Sequence, residues 1–209
     1  MPSAVSVRSR QASARRASLR RRRRVLGAFA ALALLGLLVS TLMPTVRKAV
    51  NEFTLPLAYS DIIRQQANEK RLDPALIAAV IYAETKFDPR SSSAGAEGPM
   101  QVMPQTALYL AHRSGATTFR LSDLNTPQVN IAYGSYYLRY LLDHFRGNKV
   151  EALAAYNGGV ANVDHWVTKA GGSLAVDGIP FPETRDYVTK VLNAQAKYRT
   201  KYPAELGYR

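Results

Sequence analysis

The chain has 209 residues, enough for one domain of ordinary size plus an extension, and its apolar content of 47% is sufficient for a buried core. It contains no cysteine, which excludes disulfides, thiolate nucleophiles and cysteine-ligated metals. The net charge of +13 is unevenly distributed. Nine of these charges are arginines within residues 1–24, a tail that contains no acidic residue, so the rest of the chain is only mildly basic.

An uncharged segment of 20 residues, 25–44, follows directly after the run from Arg20 to Arg24. As a helix it would span roughly 30 Å, the thickness of the hydrocarbon core of a bilayer. Positive charge stays on the cytoplasmic side, so we predict a single-pass anchor in the cytoplasmic membrane, with the C-terminal part exported. A cleavable signal peptide is the alternative, but it has a shorter apolar region and an A-x-A-like site that is absent here. Because this preference of positive charge for the cytoplasmic side already explains the arginines of residues 1–24, we predict no nucleic-acid partner.

After a short stalk at 45–57, the chain shows the pattern of successive helices, and we predict an all-α domain over 58–205. Ser60 is a candidate N-cap, and Asp73 before Pro74 is the favoured order at a helix start. No strand run or internal repeat is evident. Seven helices are predicted, at 60–71, from 74 to beyond 81, at 104–114, from 127 to near 147, at 150–159, within 161–171 and at 183–202. A Gly/Ser loop is predicted at 168–180.

Glu84 is a carboxylate on an otherwise apolar helix. It follows Ile77, Val80 and Ile81 by seven, four and three residues, so all four share a packing face. Burial beside apolar groups raises the pKa of a carboxyl. A rise of about two units costs roughly 2.7 kcal/mol. Such a carboxyl keeps its proton near neutral pH, as a general acid must. By position alone, an exposed glutamate at a helix end is the alternative.

The segment after this helix, SSSAGAEGPMQ, is poor in large side chains. Gly95 and Gly98 would let a ligand approach the backbone closely. Gln101 can both donate and accept hydrogen bonds without carrying charge, which suits sugar hydroxyl and acetamido groups. A Gly-rich loop alone is equally typical of a protein surface.

Three segments resemble, in the right order, the signatures of lytic transglycosylases with a soluble-transglycosylase (SLT) type catalytic domain. They are AETKFDPRSSSAGAEGPMQVMPQTA (83–107), AYNGG (155–159) and IPFPETRDYV (179–188). The likeness covers about residues 58–200. Thr85 stands where the family usually has serine, Pro99 where leucine is common, and Gly158 where alanine is usual. The segment between Glu84 and Gly95 is one residue shorter than the common spacing.

The resemblance implies a lysozyme-like α-helical fold and cleavage of peptidoglycan between N-acetylmuramic acid and N-acetylglucosamine. It implies that Glu84 first protonates the glycosidic oxygen and then, as a base, helps the muramyl C6 hydroxyl attack C1, leaving a 1,6-anhydro end. One carboxylate suffices because the substrate supplies the nucleophile, whereas ordinary glycosidases need two.

The resemblance also implies further site residues. Tyr156 would hydrogen-bond Glu84 or steady the intermediate, and Glu183 would support the site without transferring a proton. The remaining positions expected to line the sugar cleft are Met100, Gln101, Asn157 and either Ser92 or Ser93.

Other kinds of site find no support in the sequence. His112, His144 and His165 lack metal-ligand spacing and no phosphate loop is present, so we predict neither a metal ion nor a cofactor. The tyrosines of YGSYYLRY recur at helical spacing, which is typical of core packing, although Tyr133 or Tyr137 could line the cleft.

Two alternative functions remain open. A muramidase on the same fold would admit water and release reducing ends. A non-catalytic peptidoglycan-binding or scaffold protein would keep the fold alone, but the retained Glu84 argues against it. The expected partners are peptidoglycan glycan strands, the membrane through residues 25–44, and proteins of cell-wall synthesis or division.

Overall fold

The computed structural model describes residues 34–43, 55–89, 92 and 95–208. The chain divides into two units, Met1–Phe53 and Thr54–Arg209. In the first unit, residues 34–43 form an exposed helix, α1. The basic tail and the other residues of the predicted anchor lie outside the described residues. No helix in the described ranges is both long and apolar enough to cross a membrane.

The described part of the second unit is α-helical, with a single bridge between Glu97 and Val102 in place of any strand. The all-α prediction is therefore confirmed. In chain order the helices are α2 (Ser60–Lys70), α3 (Pro74–Thr85), α4 (Pro104–Ser114), the 3-10 helix Leu121–Asn125, α5 (Pro127–His144), α6 (Lys149–Gly158), α7 (Val160–Lys169) and α8 (Pro182–Lys201).

The two predicted helix starts have different outcomes. Asp73 caps α3 as expected, because its side chain accepts a hydrogen bond of 2.9 Å from the amide of Ala75. Ser60 was the wrong N-cap: it is the first residue of α2, and the cap is Tyr59, in the left-handed region with a φ of 59°. The Tyr59 ring stacks on Phe87, with centroids 6.3 Å apart. We infer that this packing, rather than a hydroxyl cap, sets the start of α2.

Helix α3 lies at the centre of the second unit. Every residue from 75 to 82 is buried, and the helix packs mainly against α8, with α2 on another side. A helix that is apolar all round is stable only when it is surrounded. This placement carries the C-terminal end of α3, and with it Glu84, into the middle of the unit.

Candidate active site

Glu84 is the penultimate residue of α3 and is half-buried. Burial raises the pKa of its carboxyl to about 7, although the Tyr187 hydroxyl and the positive charge of Lys190 pull it downwards. The Lys190 ammonium is itself held by the carbonyl of Ala83, at 2.7 Å. Near neutral pH this carboxyl therefore exists as a mixture of protonated and ionised forms, as a group that both gives and takes a proton requires.

Tyr187 of α8 is the neighbour of Glu84 that sequence reasoning missed. Its hydroxyl lies close enough to Glu84 to lower the pKa of that carboxyl, but the two groups do not meet the geometry of a full hydrogen bond. The hydroxyl is buried without another partner among the described residues. Burial, followed by the charge of Glu84, raises the pKa of Tyr187 well above its ordinary value. The sequence contains a signal for this residue, because Tyr187 is the second-to-last residue of IPFPETRDYV. In that segment the resemblance was used to predict a role for Glu183 alone.

Thr85 joins the end of α3 to the following loop. Its Oγ1 lies 2.9 Å from the carbonyl oxygen of Pro99 and 3.1 Å from that of Ile81. A serine hydroxyl could make the same contacts, so the threonine at this position preserves the link.

Asn130 of α5 holds that loop in place. It is fully buried, its Oδ1 accepts from the amide of Met100 at 2.8 Å, and its Nδ2 donates to the carbonyls of Glu97 and Leu124 at 2.7 and 3.1 Å. Gly98 has a φ of 68°, and a Cβ there would lie 2.3 Å from the Asn130 Nδ2. Gly98 was predicted to let a ligand approach the backbone closely, but the group that lies close to it is the Asn130 side chain.

Met100 does not offer its side chain to the cleft as predicted. The side chain is fully buried and lies so close to Gly134 that a Cβ at Gly134 would be 2.6 Å from its sulfur. Its carbonyl oxygen accepts a hydrogen bond of 2.9 Å from the Tyr156 hydroxyl. Tyr156 therefore donates to Met100 rather than to Glu84, although burial and then the charge of Glu84 raise the Tyr156 pKa.

A cleft of about 190 Å³ lies beside Tyr156. Among the predicted positions, Gln101 and Asn157 line it with Tyr156, and Tyr137 rather than Tyr133 contributes from α5. The Gln101 Nε2 donates to the Gly98 carbonyl at 3.0 Å, which orients the side chain. The lining residues are Gln101, Val102, Met103, Thr106, Tyr137, Ala155, Tyr156, Asn157 and Gly159.

Asn157 lines the cleft but uses part of its side chain within the domain, whereas Glu183 and Ser92 do not line the cleft. Asn157 uses its Oδ1 to accept from the Thr184 hydroxyl at 2.8 Å. Glu183, one residue earlier on α8, is exposed and does not line the cleft. Ser92 accepts through its hydroxyl from the amide four residues on, at 2.9 Å, which closes its own turn. Ser93 lies outside the described residues.

Among the described residues, no group of three or more histidine, aspartate or glutamate side chains could hold a metal ion. His144 pairs with Asp164 at 2.8 Å, joining α5 to α7. This contact accounts for one of the three histidines as a surface pairing.

The family model described as "Transglycosylase SLT domain" matches residues 61–175. The chain belongs to this family. The SLT domain is similar to the soluble lytic murein transglycosylase of Salmonella typhimurium, with 35% identity over 154 residues. That match covers 71% of this chain and 24% of the relative. The membrane-bound lytic murein transglycosylase C of Edwardsiella ictaluri is 30% identical, over 68% of this chain and 46% of the relative.

Solved structures resemble the SLT domain in the same way. An inactive mutant of the Pseudomonas aeruginosa lytic transglycosylase Slt, with one glutamate replaced by glutamine, superposes with a TM-score of 0.66 at 32% identity. It covers 72% of this chain and 25% of that one. A 70-kDa soluble lytic transglycosylase in complex with bulgecin A gives a TM-score of 0.69 at 31% identity, over 78% of this chain and 27% of that one. The chain thus spans about a quarter of the length of the soluble relatives and about half of the membrane-bound one. The predicted family is confirmed.

Replacing Tyr187 by phenylalanine is expected to raise the pKa of Glu84 above about 7, by roughly half a unit, because the lost hydroxyl favours the carboxylate. The pKa is measured by following the side-chain carboxyl carbon of Glu84 by NMR across pH 5–9. Tyr156→Phe is the control, because that hydroxyl donates to Met100, and a smaller change is expected. An unchanged or lower pKa in Tyr187→Phe would contradict this account of the pair.

Proposed function

We propose that this chain is a peptidoglycan lytic transglycosylase, which cleaves the β-1,4 bond between N-acetylmuramic acid and N-acetylglucosamine and leaves 1,6-anhydro ends. The observation that carries this proposal is the half-buried carboxyl of Glu84 in an SLT domain, with a pKa of about 7. Its charge is close enough to raise the pKa of Tyr156, which lines the cleft. The soluble and membrane-bound relatives are both named as lytic murein transglycosylases, which supports the same activity here.

In the first step, protonated Glu84 gives its proton to the glycosidic oxygen. The bond from this oxygen to the muramyl C1 then breaks, and the N-acetylglucosamine part leaves with a free hydroxyl. Positive charge develops at C1, and the newly formed carboxylate of Glu84 stabilises it. Activity should therefore fall as the pH rises through about 7, because the ionised form has no proton to give.

In the second step, the Glu84 carboxylate takes the proton of the muramyl C6 hydroxyl while O6 forms a bond to C1. No water is consumed, and Glu84 returns to its protonated form. This route needs only one carboxylate, because the C6 hydroxyl of the substrate supplies the nucleophile. A hydrolytic enzyme of the ordinary kind uses a second carboxylate.

The neighbours of Glu84 have supporting roles in this proposal. Tyr187 offers a hydroxyl that can complete a hydrogen bond to Glu84 once substrate excludes water. Gln101 and Asn157 offer amide groups to the sugar hydroxyl and acetamido groups. Tyr137 and Tyr156 supply ring surface along the cleft wall.

The activity is tested by mass spectrometry of the muropeptides that the detergent-solubilised full chain releases from purified peptidoglycan. Products lighter by one water than those of a muramidase digest are expected. Products with reducing ends would make the protein a hydrolase. No products, from peptidoglycan that a muramidase does digest, would favour a binding or scaffold protein.

We further propose that residues 25–44 anchor the protein in the cytoplasmic membrane, with the N-terminus cytoplasmic and the SLT domain outside. The support is the uncharged run of 20 residues behind five consecutive arginines. After expression in a bacterium, the full chain should sediment with membranes and resist extraction by alkaline carbonate. A chain lacking 25–44 should be released, and extraction of the full chain would contradict the anchor.

A further inference from the structure

A row of tyrosines leads out of the cleft, and we call Tyr156, Tyr137, Tyr140 and Tyr109 the tyrosine tract. Ring centroids are 5.4 Å apart between Tyr156 and Tyr137, 6.2 Å between Tyr137 and Tyr140, and 5.9 Å between Tyr140 and Tyr109. The rings of Tyr137 and Tyr140 are parallel to within 14°, whereas Tyr109 stands at 67° to Tyr140. The tract therefore runs unbroken from α6 across α5 to α4.

The two ends of the tract differ in exposure. Tyr156 and Tyr137 are half-buried and line the cleft. Tyr109 is 47% exposed, and its neighbour Leu108 is 50% exposed. Tyrosine is enriched at binding interfaces, because its ring is apolar and its hydroxyl is polar. Packing of the helices explains the inner end of the tract but leaves the outer end without a function.

A cation lies at the outer end. The Arg113 guanidinium sits over the Tyr140 ring, 5.3 Å from its centroid, while the residue remains exposed. The hydroxyls of Tyr109 and Tyr136 also lie near this guanidinium and raise its pKa, which further fixes its orientation. With five N–H donors, the group keeps donors for a further partner. A carboxylate arriving along the tract would find a planar, permanently charged partner there.

A cleft of this size holds only part of a glycan strand, so a strand bound there extends beyond it. The cleft volume of about 190 Å³ is below the roughly 300–1,000 Å³ of pockets that enclose a drug-sized ligand. Peptidoglycan strands are long, and the apolar faces of their sugar rings pack on aromatic rings. Their muramyl residues bear peptides that end in carboxylates. The tract offers both kinds of partner, in a line that begins at the cleft.

We propose that the tyrosine tract with Arg113 is a distal binding surface for the peptidoglycan strand. Tyr109 contacts sugar rings beyond the cleft, Tyr140 holds Tyr109 and Arg113 in position, and Arg113 binds a carboxylate of a stem peptide. This inference rests on the proposed function, because it takes the substrate of that same site. It assigns length selectivity to α4 and adds no residue to the chemistry.

The test measures binding of the full chain carrying Glu84→Gln to long glycan strands and to a tetrasaccharide fragment, so that no substrate is consumed. Adding Tyr109→Ala is expected to weaken binding of long strands by about threefold to tenfold and to leave the tetrasaccharide unchanged. Tyr109→Phe keeps the ring and should bind as the parent does. Adding Arg113→Gln should weaken binding of peptide-bearing strands by about threefold, and not of peptide-free strands.

Phe181→Ala is the matched control, because Phe181 is 46% exposed but packs on Trp166 and does not belong to the tract. It should leave the binding of both ligands unchanged. If the Glu84→Gln parent binds no glycan of any length, the proposed function fails and this inference with it. A second outcome overturns only the distal surface. In it the parent binds glycan, but Tyr109→Ala either binds long strands as tightly as the parent does or weakens the binding of long strands and of the tetrasaccharide equally.

Discussion

Glu84→Gln is expected to slow glycan cleavage at pH 7 by about three orders of magnitude, the middle of the range for losing a general acid–base group. Glutamine has nearly the same shape as glutamic acid, so the fold and the glycan affinity should persist. The amide cannot donate a proton to the glycosidic oxygen or take one from the C6 hydroxyl. Release of anhydro-muropeptides per unit time, measured for variant and parent on one peptidoglycan preparation, checks this.

The same substitution should stabilise the protein at alkaline pH. The Glu84 carboxyl has a pKa of about 7 when folded, against an ordinary value of 4.5, so ionisation costs the folded state more than the unfolded state. The parent should therefore lose stability as the pH rises from about 4.5 through 7, by up to about 3 kcal/mol, whereas the glutamine variant should not.

Urea unfolding at pH 5 and pH 9 measures this difference, with little separation expected at the lower pH. Glu205→Gln, which changes an exposed glutamate near the C-terminus, is the control and should leave the free energy of unfolding nearly unchanged. Glycan cleavage by Glu84→Gln at the rate of the parent would contradict a catalytic role for Glu84. A variant less stable than the parent at pH 9 would mean that the folded state favours the ionised carboxyl.

Asn130→Ala is expected to lower the free energy of unfolding by about 3 kcal/mol and to reduce activity at the same time. The change leaves the buried amide of Met100 without its partner and removes the Asn130 donor from the carbonyls of Leu124 and Glu97, although the Glu97 carbonyl still accepts from the Val102 amide. Each unsatisfied group costs roughly 1–3 kcal/mol. The loop would then lose the conformation in which Met100 accepts from Tyr156.

Thermal or urea unfolding measures the stability of this variant, and hydrogen exchange at the Met100 amide reports the local loosening. Asn125→Ala is the matched control, because that side chain is exposed and contacts only Ser122, at 3.4 Å, among the described residues. It should change stability by less than about 0.5 kcal/mol. Equal stability in the two variants would mean that Asn130 does not hold the loop.

The sequence alone determined the helical class, the helix starts at Asp73–Pro74 and Pro127, and Glu84 as the candidate acid. These signals are local. A cap or an N-terminal proline acts within one turn, and Glu84 stands inside a short motif with a recognisable order. For the same reason Pro104–Ser114 agrees with its predicted bounds.

Only the tertiary structure decided what surrounds that acid. Tyr187 reaches Glu84 because α8 packs on α3, and Asn130 reaches Met100 across a separation of 30 residues. Helical periodicity indicates that a residue faces a core, but not which residue of another helix it meets there. Periodicity likewise could not show that the Met100 side chain points into the core of the domain rather than towards the cleft. The depth of this side chain depends on the small Gly134 of α5, which is distant in sequence.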